Sequence, residues 1–175
     1  MEWKDFNTNQ NFFSFYGFLP CLRISEPELK QIYLQRAKEF HPDHHSQISS
    51  DVDFIALSSF NNLAYKTLSK FNLRLDYLLT LFHFEKQSIS LSKDFLMEMM
   101  FLNEEISEST PEKTSSLFEK LKKYREKNAL TIESYLQMEK IQLDDLNSFQ
   151  DLSIYSQKEN YFSRIEKLIQ GKVEI

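Results

Sequence analysis

Two glycines in 175 residues leave this chain little with which to build tight turns. Hairpins and sheet corners lean on residues that tolerate positive φ, and four prolines do not replace them. Ser, Asn, Lys and Glu fill the polar positions, while 41% of the sequence is apolar and includes 16 Phe. That length and composition suffice for a substantial core in one large domain or two small ones. An all-α architecture is the expected fold class.

Hydrophobic periodicity gives the outline. Asn7 to Asn11 reads as a polar tail before the aromatic cluster Phe12, Phe13, Phe15, Tyr16 and Phe18, which predicts a short buried helix. Ser25 and Glu28 have the spacing of a capping box, with Pro27 in the first turn, so a long helix starts there. Leu29, Ile32, Tyr33, Ala37 and Phe40 recur near the helical period, and Lys30, Arg36 and Lys38 fall among the polar, solvent-facing positions. After a Ser- and Asp-rich loop, Phe54 to about Leu68 forms a second long helix bearing Ile55, Leu57, Leu63, Ala64 and Leu68, able to return antiparallel to the first. Leu73 to Phe82 is strongly apolar, and the polar stretch Glu85 to Ser92 marks a change of domain. The expected organisation is a first domain over residues 11–83, a linker over 84–92 and a C-terminal domain over 93–171. Three further helices, Lys93 to about Ser109, Pro111 to about Ile141 and Asp145 to Gln170, make the second domain a three-helix bundle. Thr110-Pro111 supplies a helix start, and Gly171 is placed as a stop.

The first long helix runs into His41-Pro42-Asp43. Pro42 lacks an N–H and disfavours helical angles at the residue before it, so the helix stops near His41 and puts His41 and Asp43 on an exposed loop. Alone, the tripeptide is compatible with a plain helix stop. His41, His44 and His45 with Asp43 are too close together on one loop to converge tetrahedrally, so no metal is expected. His83, between Phe82 and Phe84 at a helix end, reads as structural. The single Cys21 excludes an internal disulfide and reads as a small packed or surface residue; it suits a reducing compartment, and the cytoplasm is expected. No run approaches 18 apolar residues and no signal-peptide pattern opens the chain, so neither a membrane span nor export is expected. A net charge of −5 and a pI near 5.4 speak against a nucleic-acid backbone as partner.

The helix from Lys93 has two apolar faces. Counting about 100° per residue from Phe95, Met99, Leu102 and Ile106 fall within about 40° of it and form a core stripe. Leu96, Met97, Met100 and Phe101 fall at about 100° to 240°, around the opposite side. Either that second face is a partner surface rimmed by Glu104 and Glu108, or it is buried against the first domain, with Tyr77 and Phe82 as neighbours.

Taken in order, these features resemble a known family. Phe12-Phe13-Ser14-Phe15-Tyr16-Gly17, the run from Tyr33 to Asp43, and Asn62-Leu63-Ala64-Tyr65-Lys66-Thr67-Leu68 resemble the first three helices of a J-domain. Arg74-Leu75-Asp76-Tyr77-Leu78-Leu79, followed by Asp94-Phe95-Leu96-Met97-Glu98 and Glu104-Glu105-Ile106, is similar more narrowly to HscB, the J-type co-chaperones of iron–sulfur cluster assembly. The resemblance implies a non-enzymatic adaptor with no catalytic residue and no cofactor. Its J-domain would stimulate ATP hydrolysis by a DnaK-class chaperone, normally HscA, and its bundle would deliver the scaffold IscU. It implies chaperone-binding roles for His41, Pro42, Asp43, Arg36 and Lys38. It implies scaffold-binding roles for Leu96, Met97, Met100, Phe101, Glu104, Glu108 and Tyr161, with Phe101 departing from the carboxylate that relatives carry. A J-protein serving a general DnaK chaperone with a different client is the alternative.

Overall fold

A computed structural model describes residues 8–41, 53–82, 89–138 and 146–173 of the chain. Every regular element among them is helical. In chain order these are α1 (Phe12–Tyr16), α2 (Glu26–Glu39), α3 (Phe54–Ser69), α4 (Phe71–Leu81) and α5 (Lys93–Glu108), then a 3₁₀ turn over Pro111–Lys113 that leads into α6 (Thr114–Leu130), the short α7 (Glu133–Leu136) and α8 (Leu146–Val173). The chain divides into two compact units, residues 1–83 with 136–142, and residues 84–135 with 143–175.

In the first unit, α1 is short because both ends are fixed locally. Asn11 Oδ1 accepts the Ser14 N–H, and Gly17 ends the helix in a left-handed conformation at φ 78°, where a side chain would be strained. Phe13, Phe15 and Tyr16 are buried, and Phe12 stacks on Tyr77 of α4 at 4.4 Å while its N–H donates to the Tyr77 hydroxyl. Helices α2 and α3 form the antiparallel hairpin. Tyr33 stacks on Tyr65 at 4.2 Å, its hydroxyl donates to Asn62 Oδ1, and its carbonyl accepts from Asn61 Nδ2. The α2 start lies where the sequence puts it, but the Ser25 hydroxyl makes no capping bond, so the expected capping box does not form. Glu26 and Glu28 instead place negative charge at the positive end of the helix dipole. Ile55 and Leu63 are 71% and 54% exposed rather than core, because α3 buries the stripe Phe54, Leu57, Asn61, Ala64 and Leu68.

In the second unit, α5, α6 and α8 form a three-helix bundle around Phe95, Met99, Leu102, Ile106, Leu117, Leu121, Phe162, Ile165 and Ile169. Ser92 caps α5 by accepting the Phe95 N–H. Helix α6 stops at Leu130, well short of the expected Ile141. The Thr131 hydroxyl and N–H both turn back to the Asn128 carbonyl, and the Ile132 N–H goes to Ala129, closing the last turn in 3₁₀ fashion. Helix α8 runs through Gly171 to Val173, so the expected stop there is corrected. Glycine costs a helix interior about 1 kcal/mol, which packing elsewhere along α8 outweighs.

Candidate docking surfaces

The last turn of α2 presents one candidate surface. Phe40 is fully buried against Phe15, which pins the end of the helix, and the next residue, His41, is exposed with its N–H directed to the Lys38 carbonyl at 3.4 Å. Lys38 is exposed on the same turn. Pro42 and Asp43 lie outside the described residues, as do His44, His45 and His83.

Arg36 is not on the solvent side. It is only 7% exposed, and its guanidinium carbon lies 4.5 Å from the Phe15 ring centroid and 4.9 Å from that of Tyr16. A guanidinium is planar and weakly hydrated, so two aromatic faces compensate its burial better than they would a lysine. Burial pushes the Tyr16 phenol above its ordinary pKa, with Arg36 opposing. The Tyr16 hydroxyl is held by Asn61, donating to its side-chain oxygen at 2.7 Å. The position was legible by spacing, since residue 36 stands seven after Leu29 and four before Phe40, both in the core. The charged residue type hid it.

The second surface is the outer side of α5. Leu96, Met97, Met100 and Phe101 are 39%, 52%, 58% and 56% exposed, whereas Met99 and Leu102 on the opposite side are 1% exposed. The apolar band is therefore surface, not core. Glu104 and Glu108 are exposed at its C-terminal end. Tyr161 of α8 is part-buried and makes an edge contact at 5.8 Å with Phe95, on the buried stripe of α5. Of the expected scaffold-side residues, Leu96, Met97, Met100, Phe101, Glu104 and Glu108 lie on the exposed side of α5, and Tyr161 lies on α8 against the bundle core.

Two polar devices inside the units escape sequence reading. Arg74 of α4 is buried, donating from Nε to the Leu22 carbonyl and from Nη1 to the Leu68 carbonyl at the end of α3. Between α6 and α8, Arg125 pairs with Glu166 at 2.9 Å and approaches Glu159 at 3.6 Å, while Asn128 Nδ2 donates to Glu159 at 2.8 Å. Among the described residues no three of His, Cys, Asp or Glu are grouped to hold a metal, and no helix is long and apolar enough to cross a membrane.

A short capped helix, a hairpin whose first helix ends at an exposed histidine, and a helical bundle with an apolar outer band define a J-domain protein with a C-terminal three-helix bundle. No family model matches the chain. The human iron–sulfur cluster co-chaperone protein HscB is 30% identical over 168 residues, covering 93% of this chain and 68% of that protein. The crystal structure of human co-chaperone protein HscB matches with a TM-score of 0.76 at 25% identity, covering 95% of this chain and 83% of that one. The chaperone HscB from Vibrio cholerae shares the fold, with a TM-score of 0.61 at 24% identity, covering 91% of this chain and 99% of that one. The chain belongs to the HscB family of iron–sulfur cluster co-chaperones.

Proposed function

We propose that this co-chaperone couples two partners: a DnaK/HscA-class chaperone, whose ATP hydrolysis it stimulates, and an IscU-type iron–sulfur scaffold, which it delivers as client. The observation that carries the reading is the exposed apolar band of α5, which stands apart from the helix's own buried stripe and suits an adaptable contact surface. On the chaperone side, His41, Pro42 and Asp43 act across the contact, and the Asp43 carboxylate makes a charge-assisted hydrogen bond to an arginine of the chaperone. Lys38 adds a cation on the outer side of α2, and Arg36 acts from within, holding the last turn of α2 against α1. On the client side, Leu96, Met97, Met100 and Phe101 supply the apolar centre, Glu104 and Glu108 its acidic rim, and Tyr161 its edge on α8. The cytoplasm is the proposed compartment, with no nucleic acid or membrane as partner and no chemistry performed by the chain itself.

The test is single-turnover ATP hydrolysis by the cognate chaperone, with wild-type protein and with His41→Gln, each with and without scaffold. The expected result is stimulation that scaffold amplifies and that His41→Gln abolishes while leaving the circular-dichroism melt unchanged. Stimulation indifferent to scaffold would assign the bundle to another client. Stimulation indifferent to His41→Gln would refute the role of the loop.

A further inference from the structure

Met97, Met99 and Met100, three of the five methionines in the chain, fall close together on α5. They do not share an environment. Met99 is 1% exposed and belongs to the bundle core, whereas Met97 and Met100 are 52% and 58% exposed. At about 100° per residue the two exposed side chains stand about 60° apart on the outer side of the helix, between Leu96 and Phe101. A thioether has no proton to lose, so exposure decides which methionine an oxidant reaches first. Cys21, the one thiol of the chain, is a poor competitor. It is 7% exposed, its Sγ donates to the Arg23 carbonyl at 3.2 Å, and burial pushes its pKa up, away from the reactive thiolate.

We propose that Met97 and Met100 are a modification site, whose oxidation by peroxide to the sulfoxide switches the client surface off while Met99 keeps the bundle packed. In each step the thioether sulfur gives its electron pair to one peroxide oxygen. The S–O bond forms as the O–O bond breaks, and the second oxygen leaves as water with both peroxide protons, relayed by solvent. Sulfur is oxidised by two electrons and peroxide is reduced by two, so the protein supplies no acid or base. The product replaces a flexible apolar side chain with a polar one. Leu96 and Phe101, which share the centre of the band, carry no donor for the new oxygens, so docking an apolar partner there would strip them of water uncompensated. The switch is reversible, because methionine sulfoxide reductases return each sulfoxide epimer to the thioether. The inference rests on the reading of α5 as the client surface.

The experiment treats wild type and Met97→Leu with Met100→Leu with hydrogen peroxide, which catalase removes before scaffold is added. Peptide mass spectrometry locates the sulfoxides, and calorimetry compares the scaffold affinity of each treated protein with that of its own untreated form. In wild type, Met97 and Met100 are expected to oxidise before Met99, with binding weakened about tenfold and the melting temperature unchanged. Methionine sulfoxide reductases A and B together should restore binding, and peroxide should not alter the affinity of the leucine variant. Untreated Met97→Gln with Met100→Gln should bind as weakly as the oxidised protein. Wild-type affinity in the doubly oxidised protein or in the glutamine variant overturns the proposal. If untreated Leu96→Ala with Met100→Ala then binds weakly, the α5 reading survives; if it also binds as wild type, both fall. An equal loss in the treated leucine variant puts the lesion elsewhere, at Met138, 40% exposed, or at Cys21, and overturns the proposal as well. Oxidation of Met99 as fast as its two neighbours overturns the separation of the faces on which the switch depends.

Discussion

Arg74 bridges two backbone carbonyls, Leu22 in the loop before α2 and Leu68 in the last turn of α3, with no carboxylate as its partner in either bond. Losing it would leave two buried acceptors unsatisfied. Arg74→Met is expected to destabilise the first unit by about 2–4 kcal/mol, measured by urea denaturation, and Arg74→Lys to recover little, since an ammonium lacks the fork geometry. Glu159 behaves differently because its pKa is displaced. Burial pushes its carboxyl up from the ordinary value, Glu166 adds to this, and the Asn128 hydrogen bond and Arg125 pull it back. A carboxyl raised in the folded state retains its proton to higher pH than in the unfolded chain. Its contribution is therefore fullest below about pH 4.3 and is lost as pH rises through the folded value. Wild type should lose stability relative to Glu159→Gln between pH 4 and pH 8, read as the difference in melting temperature of the two proteins at each pH. None of this is visible in sequence, where Arg36, Arg74 and Glu159 all look like solvent-facing charge. Only spacing betrays Arg36, and nothing local betrays the carbonyls that Arg74 serves.

Helix α5 carries two apolar faces, one buried and one exposed, and substitutions should separate them. Met99→Ala empties a packed position and is expected to cost about 2–5 kcal/mol. Leu96→Ala with Met100→Ala removes exposed atoms and should cost about 1 kcal/mol or less, while weakening scaffold binding. Chemical denaturation and calorimetry on the same preparations check both statements. The two faces were legible because a fixed angle per residue sorts side chains around a helix from their spacing alone. The ends of helices were less so. The periodic pattern continues past Leu130, but Thr131 can satisfy the Asn128 carbonyl with its own hydroxyl, so a turn competes with one more helical residue. At Gly171 the reverse holds: the glycine that could end a helix is carried inside one, and Lys172, the next residue, reaches the Ser107 carbonyl from a helical position.

At the scale of the molecule, the two candidate surfaces lie in different compact units, the end of α2 in the first and the outer side of α5 in the second. His41→Gln should therefore leave scaffold affinity unchanged, within about twofold by calorimetry, and the α5 pair should leave basal stimulation of the chaperone intact while removing its amplification by scaffold. The all-α architecture was legible from the shortage of glycine and the run of periodic segments. The J-domain was legible because α1, the hairpin and the tripeptide occur in order. The packing of α5 against α8 was not, because a parallel pairing of the first and third helices of a bundle brings together residues some 60 positions apart. The inward turn of Arg36 also has a kinetic consequence. The exposed charges of α2 are then Lys30 and Lys38 against Glu26, Glu28 and Glu39, a helix with no excess of positive charge. If the proposed chaperone docks along α2, the helix itself adds no net long-range steering, so exchanging the charges of α2 for neutral residues as a set should change the association rate little at low ionic strength, as stopped-flow measurement would show.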